Sequence, residues 1–137
     1  MRVYFDSSAL AKRYIEEAGS DAVLQWCDKA TELAISVIAV PELVSAFCRL
    51  LREGKLSGEQ YLEIKAQLLT DITDALICDT TPGSIRFAVK ALETQALRSM
   101  DAMHIGAAMD CRADVFVTAD ARQAKAAQAL GLVVQVL

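Results

Sequence analysis

Apolar residues along this chain fall into short β-prone runs and helically spaced stripes, and the two alternate from end to end. Arg2-Val3-Tyr4-Phe5 predicts a strand at 2–5, followed by a helix at 8–17 that Gly19 ends. Ser20 is placed to cap a helix running to Ala30, and Glu32 to Val37 reads as a second strand. Pro41 suits the first turn of a long helix to Glu53, with Gly54 past its end. Ser57-Gly58-Glu59-Gln60 has the form of a capping box before a helix to Asp71. Leu76 to Asp79 is a short strand, and Thr81-Pro82 opens the next helix with a cap and a first-position proline. Ser99 is placed to cap a helix to Arg112, Val115–Thr118 is a strand, 121–129 a helix ended by Gly131, and Leu132–Val136 a last strand. Such alternation predicts an α/β fold whose mostly parallel sheet carries helices on both faces.

No repeat, low-complexity tract or linker divides the sequence, so residues 1–137 are expected to form a single domain. That length buries a substantial core without disulfide or metal staples. The most apolar stretch, Leu33 to Val40, meets Pro41 and Glu42 long before the ~20 residues a membrane span needs. Asp6, Lys12 and Arg13 interrupt the N-terminal apolar run, which is unlike a secretory signal and predicts a cytoplasmic protein with no membrane association. The four cysteines form no CxxC pair, and the only histidine, His104, lies in no zinc spacing. They read as small apolar residues kept reduced.

A net charge of -4 argues against a protein that coats nucleic acid through a broad basic face. It leaves room for an enzyme that meets phosphates through a metal ion. No nucleotide loop of GxxxxGK[ST] or GxGxxG form is present, nor a GxSxG elbow.

The acids carry the chemical signal. Asp6 and Asp120 each follow a predicted strand and precede a helix, so both fall on the sheet edge where α/β proteins bind ligands. Glu42 and Asp101 stand near the starts of two further helices. Four carboxylates in one cleft repel one another and call for a hard cation. Singly, each has a plainer reading. Asp6 and Asp120 are helix caps by position, although Ser7 or Ser8 would cap as well as Asp6. Glu42 is an acid favoured by a helix dipole. Asp101 shares a face with Ile105 and Ala108 in a nearly all-apolar segment, where a charge needs a metal or a partner such as Arg98. His104 reads as a packed core residue rather than a general base. Arg98 and Arg122 are candidates for substrate phosphates, with a solvated charge the default for Arg122. Val40, Leu43, Val44, Phe47, Leu50 and Leu51 offer more apolar surface than one helix face needs, which predicts partial cover by another chain.

In order and spacing, Asp6-Ser7-Ser8-Ala9-Leu10-Ala11-Lys12, Glu42, Leu97-Arg98-Ser99-Met100-Asp101-Ala102-Met103-His104 and Val115-Phe116-Val117-Thr118-Ala119-Asp120 resemble the PIN-domain superfamily, and within it the small VapC-type toxins of bacterial toxin–antitoxin pairs. The resemblance implies a PIN-like three-layer α/β/α fold and a metal-dependent endoribonuclease. Asp6, Glu42, Asp101 and Asp120 would hold Mg2+ or Mn2+, with Asp6 and Asp101 as direct ligands and Ser8 and Thr118 as supporting hydroxyls. It also implies a homodimer and a cognate antitoxin protein. Some relatives carry a further acid after the last aspartate; here Ala121, Arg122, Gln123 and Ala124 stand there, which leaves one or two ions open. RNA as the substrate rests on this resemblance alone. The rivals are a noncatalytic PIN-like binding module and a metal-dependent phosphatase, the latter short of a second aspartate where Ser8 stands.

Overall fold

The computed structural model describes residues 1–137. Five parallel strands form one sheet in the order β3-β2-β1-β4-β5, from β1 (Arg2–Phe5), β2 (Glu32–Ser36), β3 (Leu76–Cys78), β4 (Val115–Thr118) and β5 (Val134–Val136). The helices between them are α1 (Ser7–Tyr14), α2 (Ser20–Lys29), α3 (Ala39–Arg52), α4 (Gly58–Asp71), α5 (Pro82–Thr94), α6 (Ser99–Asp110) and α7 (Ala121–Ala129).

β1 lies at the centre and is apolar on both faces because both are covered. Val3 and Phe5 join Ile35, Val115 and Val117 in a core roofed by α1 to α4 through residues such as Leu10, Val23, Phe47 and Leu68. Tyr4 points the other way, into a second core with Ala34 and Phe116 beneath α5, α6 and α7. Strand periodicity of two thus produces the three layers. Tyr4 pairs in register with Ala34 and Phe116 and stacks on the Phe116 ring at 5.5 Å. On that second face α6 comes close to α5 because Gly106 has no side chain: a Cβ there would lie 2.3 Å from the Ser84 carbonyl oxygen.

The elements differ from the sequence expectation mainly at their ends. α1 stops at Tyr14, where Ile15 turns extended. Gly19, at φ 94°, takes the cap position of α2, a left-handed conformation that favours glycine, and Ser20 becomes the first helical residue. Arg98, not Ser99, occupies the cap position of α6, without a side-chain cap bond. β5 is shorter, starting at Val134. Leu43 and Phe47 of α3 are buried, and Val40 and Val44 pack against the same core. Val40, Val44, Leu50 and Leu51 are themselves only half-buried, so part of this apolar face stays open. A further exposed apolar stripe lies on α5, at Ile85, Val89 and Leu92.

Candidate active site

β1 and β4 are adjacent and parallel, so the residues leaving them meet at one edge. The Asp6 backbone N–H reaches Val117 O at 3.1 Å and carries the chain directly into α1. Asp6 caps that helix: Oδ1 accepts from the Ala9 N–H at 2.9 Å and from Ser8 Oγ at 2.7 Å, while Thr118 Oγ1 donates to Oδ2. Ser8 Oγ accepts in turn from the Ala119 N–H, and Thr118 Oγ1 from the Asp120 N–H, each at 3.0 Å. The two hydroxyls thus stitch the ends of both strands around one carboxylate. Because α1 begins at Ser7, both serines lie inside the helix and Asp6 is the cap after all. Capping uses lone pairs without turning the carboxylate away from the cleft. Asp120 behaves the same way: Oδ1 accepts from the N–H groups of Arg122 at 2.8 Å and Gln123 at 3.2 Å, and Oδ2 has no protein partner.

Asp6 is 3% exposed. Burial pushes its carboxyl up, and the donors from Thr118, Ser8 and Ala9 pull it back only in part. Asp101 is raised as well, by burial first and then by the charge of Asp120, with a smaller push from Glu42. No ion pair forms between Asp101 and Arg98.

Glu42, from the first turn of α3, is anchored differently. Its Oε1 accepts from Ser7 Oγ at 2.8 Å and lies 2.6 Å from His104 Nε2. His104 Nδ1 is 2.9 Å from the Tyr4 hydroxyl. Burial acts to raise the Glu42 carboxyl, but the hydrogen bonds from His104 and Ser7 outweigh it and hold the group below its ordinary range. His104 is therefore buried, as its apolar helix suggests, yet it also reaches the cleft. Its spacing of three from Asp101, which puts both on one side of a helix, was the signal for that.

Asp6, Glu42, Asp101 and Asp120 line one cleft of about 150 Å³ together with Ser7, Ser8, His104 and Gln123, and nothing apolar. A wider cleft of about 650 Å³ adjoins it, shares Asp101 and Asp120, and is flanked by Arg98 and Arg122. Gln123 is the residue that sequence reasoning passed over. It is buried, its Nε2 donates to the Asp101 carbonyl at 3.0 Å, and its Oε1 has no partner. Nothing in its local sequence distinguishes it from any polar residue in a helix's first turn.

The donor set suits a hard cation: oxygen throughout, with mutually repelling carboxylates and a buried amide oxygen lacking a donor. No three acidic, histidine or cysteine side chains already stand at the spacing of a direct-ligand site.

Residues 3–129 match the PIN domain family model, and the chain belongs to that family. It is 33% identical to ribonuclease VapC35 of Mycobacterium tuberculosis across 96% of this chain and 94% of that protein. Among solved structures it resembles Mycobacterium tuberculosis VapC20, a sarcin-ricin loop cleaving toxin, with TM-score 0.68 and 16% identity over 96% of each chain. It also resembles a chain of a toxin–antitoxin complex from Klebsiella pneumoniae, with TM-score 0.66 and 15% identity over 88% of each. These likenesses agree with the three-layer α/β/α fold described above.

Proposed function

We propose that this chain is a Mg2+- or Mn2+-dependent endoribonuclease that acts as the toxin of a toxin–antitoxin pair. The observation that carries the reading is the wholly polar cleft in which Asp6, Glu42, Asp101 and Asp120 meet. The ribonuclease name of the 33% identical relative supports RNA as the substrate class.

In this reading the four carboxylates hold the ion, directly or through its waters. When bound, a divalent ion supplies Lewis-acid chemistry, drawing charge from a phosphodiester oxygen and easing deprotonation of a nearby water. The chain's own part is orientation and proton handling. Ser8 and Thr118 fix the Asp6 carboxylate. Glu42 stays ionised, and its Oε2, which has no protein partner, is the atom left to hold the ion or one of its waters. Arg98 and Arg122 grip the phosphates beside the scissile one across the wider cleft.

The cytoplasm, where RNA and reduced thiols coexist, is the compartment that fits this activity and the four unpaired cysteines. The α5 stripe of Ile85, Val89 and Leu92 is the surface assigned to a homodimer; Val89→Glu should shift the sedimenting species to monomer. A cognate antitoxin protein is the inhibitor.

The test is structured RNA incubated with pure protein, with and without Mg2+ or Mn2+. Internal cleavage that needs the ion and disappears in Asp6→Asn supports the reading. RNA bound but intact would mark a noncatalytic module, and turnover of small phosphomonoesters in its place a phosphatase.

A further inference from the structure

The second core contains a polar chain that fold stability alone does not require. Tyr4 is fully buried between the sheet and α6, stacked on Phe116 and edge-on to the His104 ring at 6.1 Å. Its hydroxyl meets His104 Nδ1, and His104 Nε2 meets Glu42 Oε1. A phenylalanine and a leucine at the two positions would fill comparable space without polar atoms to satisfy, so these groups are retained at a cost unless they act on something.

What they act on is the Glu42 carboxylate. An ionised carboxylate only accepts hydrogen bonds, so Nε2 must carry a proton. In the neutral ring that leaves Nδ1 as a bare acceptor, and it needs a donor. Tyr4 is that donor: its hydroxyl lies 2.9 Å from Nδ1 inside the apolar core. The tautomer is thereby fixed from inside the core. With Nε2–H and Ser7 both on Oε1, the carboxylate is turned so that only Oε2 remains for a ligand. Both ring nitrogens are hydrogen-bonded within the protein and the residue is 2% exposed, so His104 acts through Glu42.

We propose that Tyr4 and His104 are a buried positioning pair that holds Glu42 by Oε1 and presents Oε2 to the divalent ion. The inference rests on the nuclease reading above, for which Glu42 is one of the ion-holding acids. Partners that orient ligands in this way cost roughly 10–100-fold in metal affinity when removed.

The experiment measures Mn2+ binding by calorimetry, RNA cleavage kinetics, and the His104 nitrogen shifts by NMR, on wild type, Tyr4→Phe, His104→Leu and His104→Gln. The wild type should show a proton on Nε2 and none on Nδ1. His104→Leu should weaken Mn2+ binding by roughly 10–100-fold and lower kcat with KM for RNA unchanged. His104→Gln, whose amide N–H reaches toward the Nε2 position, should recover part of both. Tyr4→Phe, which removes one oxygen and stays folded if His104→Leu does not, should lose the single tautomer and weaken Mn2+ in the same direction. Wild-type Mn2+ affinity in folded His104→Leu and Tyr4→Phe overturns the proposal while leaving the nuclease reading intact. So does a wild-type spectrum with the proton on Nδ1. A wild type that binds no Mn2+ overturns the nuclease reading, and this inference with it.

Discussion

Thr118 donates its hydroxyl proton to Asp6 and accepts the Asp120 backbone N–H at 3.0 Å, so one small side chain ties the Asp6 carboxylate to the backbone of Asp120 at the far end of the chain. It is the last residue of β4, fully buried, and it is the one protein donor to Asp6 Oδ2. Thr118→Val keeps the shape and removes both roles. The Asp6 carboxylate then loses a donor while buried, which should cost about 1–3 kcal/mol of stability. Urea denaturation of the metal-free protein at pH 7 checks this, with Thr118→Ser expected to remain near wild type. A Thr118→Val protein as stable as wild type would mean that Asp6 does not depend on the bond.

The raised carboxyls give a pH prediction with a definite sign. Asp6 and Asp101 bind their protons more tightly in the folded chain than unfolded. They are neutral to stability below the unfolded value of about 3.9, and cost stability as pH rises from there through the folded value. Glu42 and Asp71 are lowered and act oppositely. Their contribution is present above the ordinary carboxylate range and is lost as pH falls through the folded value. Asp101→Asn should therefore raise Tm of the metal-free protein at pH 7, and the gain should vanish as pH falls into the carboxylate range. Its cleavage should drop by more than the roughly 10–100-fold that loss of an outer partner costs. A lower Tm at pH 7 would show that Asp101 is not a strained charge.

The strands were readable because β1 and β4 are short apolar runs followed within two residues by an acid and then a helix-forming segment. The ends of parallel strands share an edge, so Asp6 and Asp120 had to come near each other once the sheet order put β4 beside β1. Helix ends were less readable. Polar residues continue the pattern past Tyr14, and only the extended turn at Ile15 stops α1. The roles of Tyr4, His104 and Gln123 were out of reach for a different reason. Their hydrogen bonds cross from strand to helix or from helix to helix, and periodicity reports which face a residue occupies, not which polar atom it meets there. The use of Asp6 as both cap and cleft acid was missed by treating the two as rivals.

Gly106 tests the packing that holds α6, and with it Asp101 and His104, against the rest of the fold. A methyl group at this position would press on the Ser84 carbonyl at 2.3 Å and on the Ala88 N–H at 3.1 Å, both backbone atoms of α5. Neither can move without moving the helix. Gly106→Ala should destabilise by about 1–3 kcal/mol despite the better helix propensity of alanine. Equal stability by urea denaturation would mean that α5 and α6 separate freely.

Arg122 lines the wider cleft through its side chain, while its backbone N–H belongs to the Asp120 cap. Arg122→Ala leaves the cap in place. It should raise KM for RNA, leave Mn2+ affinity unchanged, and reduce the salt dependence of RNA binding by about one phosphate contact. An unchanged salt slope would return Arg122 to the ordinary solvated surface.

Four carboxylates in a small cleft, on a chain of net charge -4, also set the chemistry of an inhibitor. The antitoxin is expected to lay apolar residues on the surface beside the cleft and to bring one arginine or lysine to the acids. Arginine suits this best, because its planar fork pairs two carboxylate oxygens and keeps its charge near neutral pH. Glu42 Oε2, Asp120 Oδ2 and the Asp101 carboxylate are the natural targets, since the other oxygens of Glu42 and Asp120 are already held by the protein. A cation there competes with the divalent ion for the same lone pairs. Mn2+ titrated by calorimetry should bind the inhibited complex much more weakly than the free protein, and replacing the antitoxin's basic residue by glutamine should restore the difference. Equal Mn2+ affinity in both would exclude competition for the carboxylates and place inhibition on the path of the RNA, across Arg98 and Arg122.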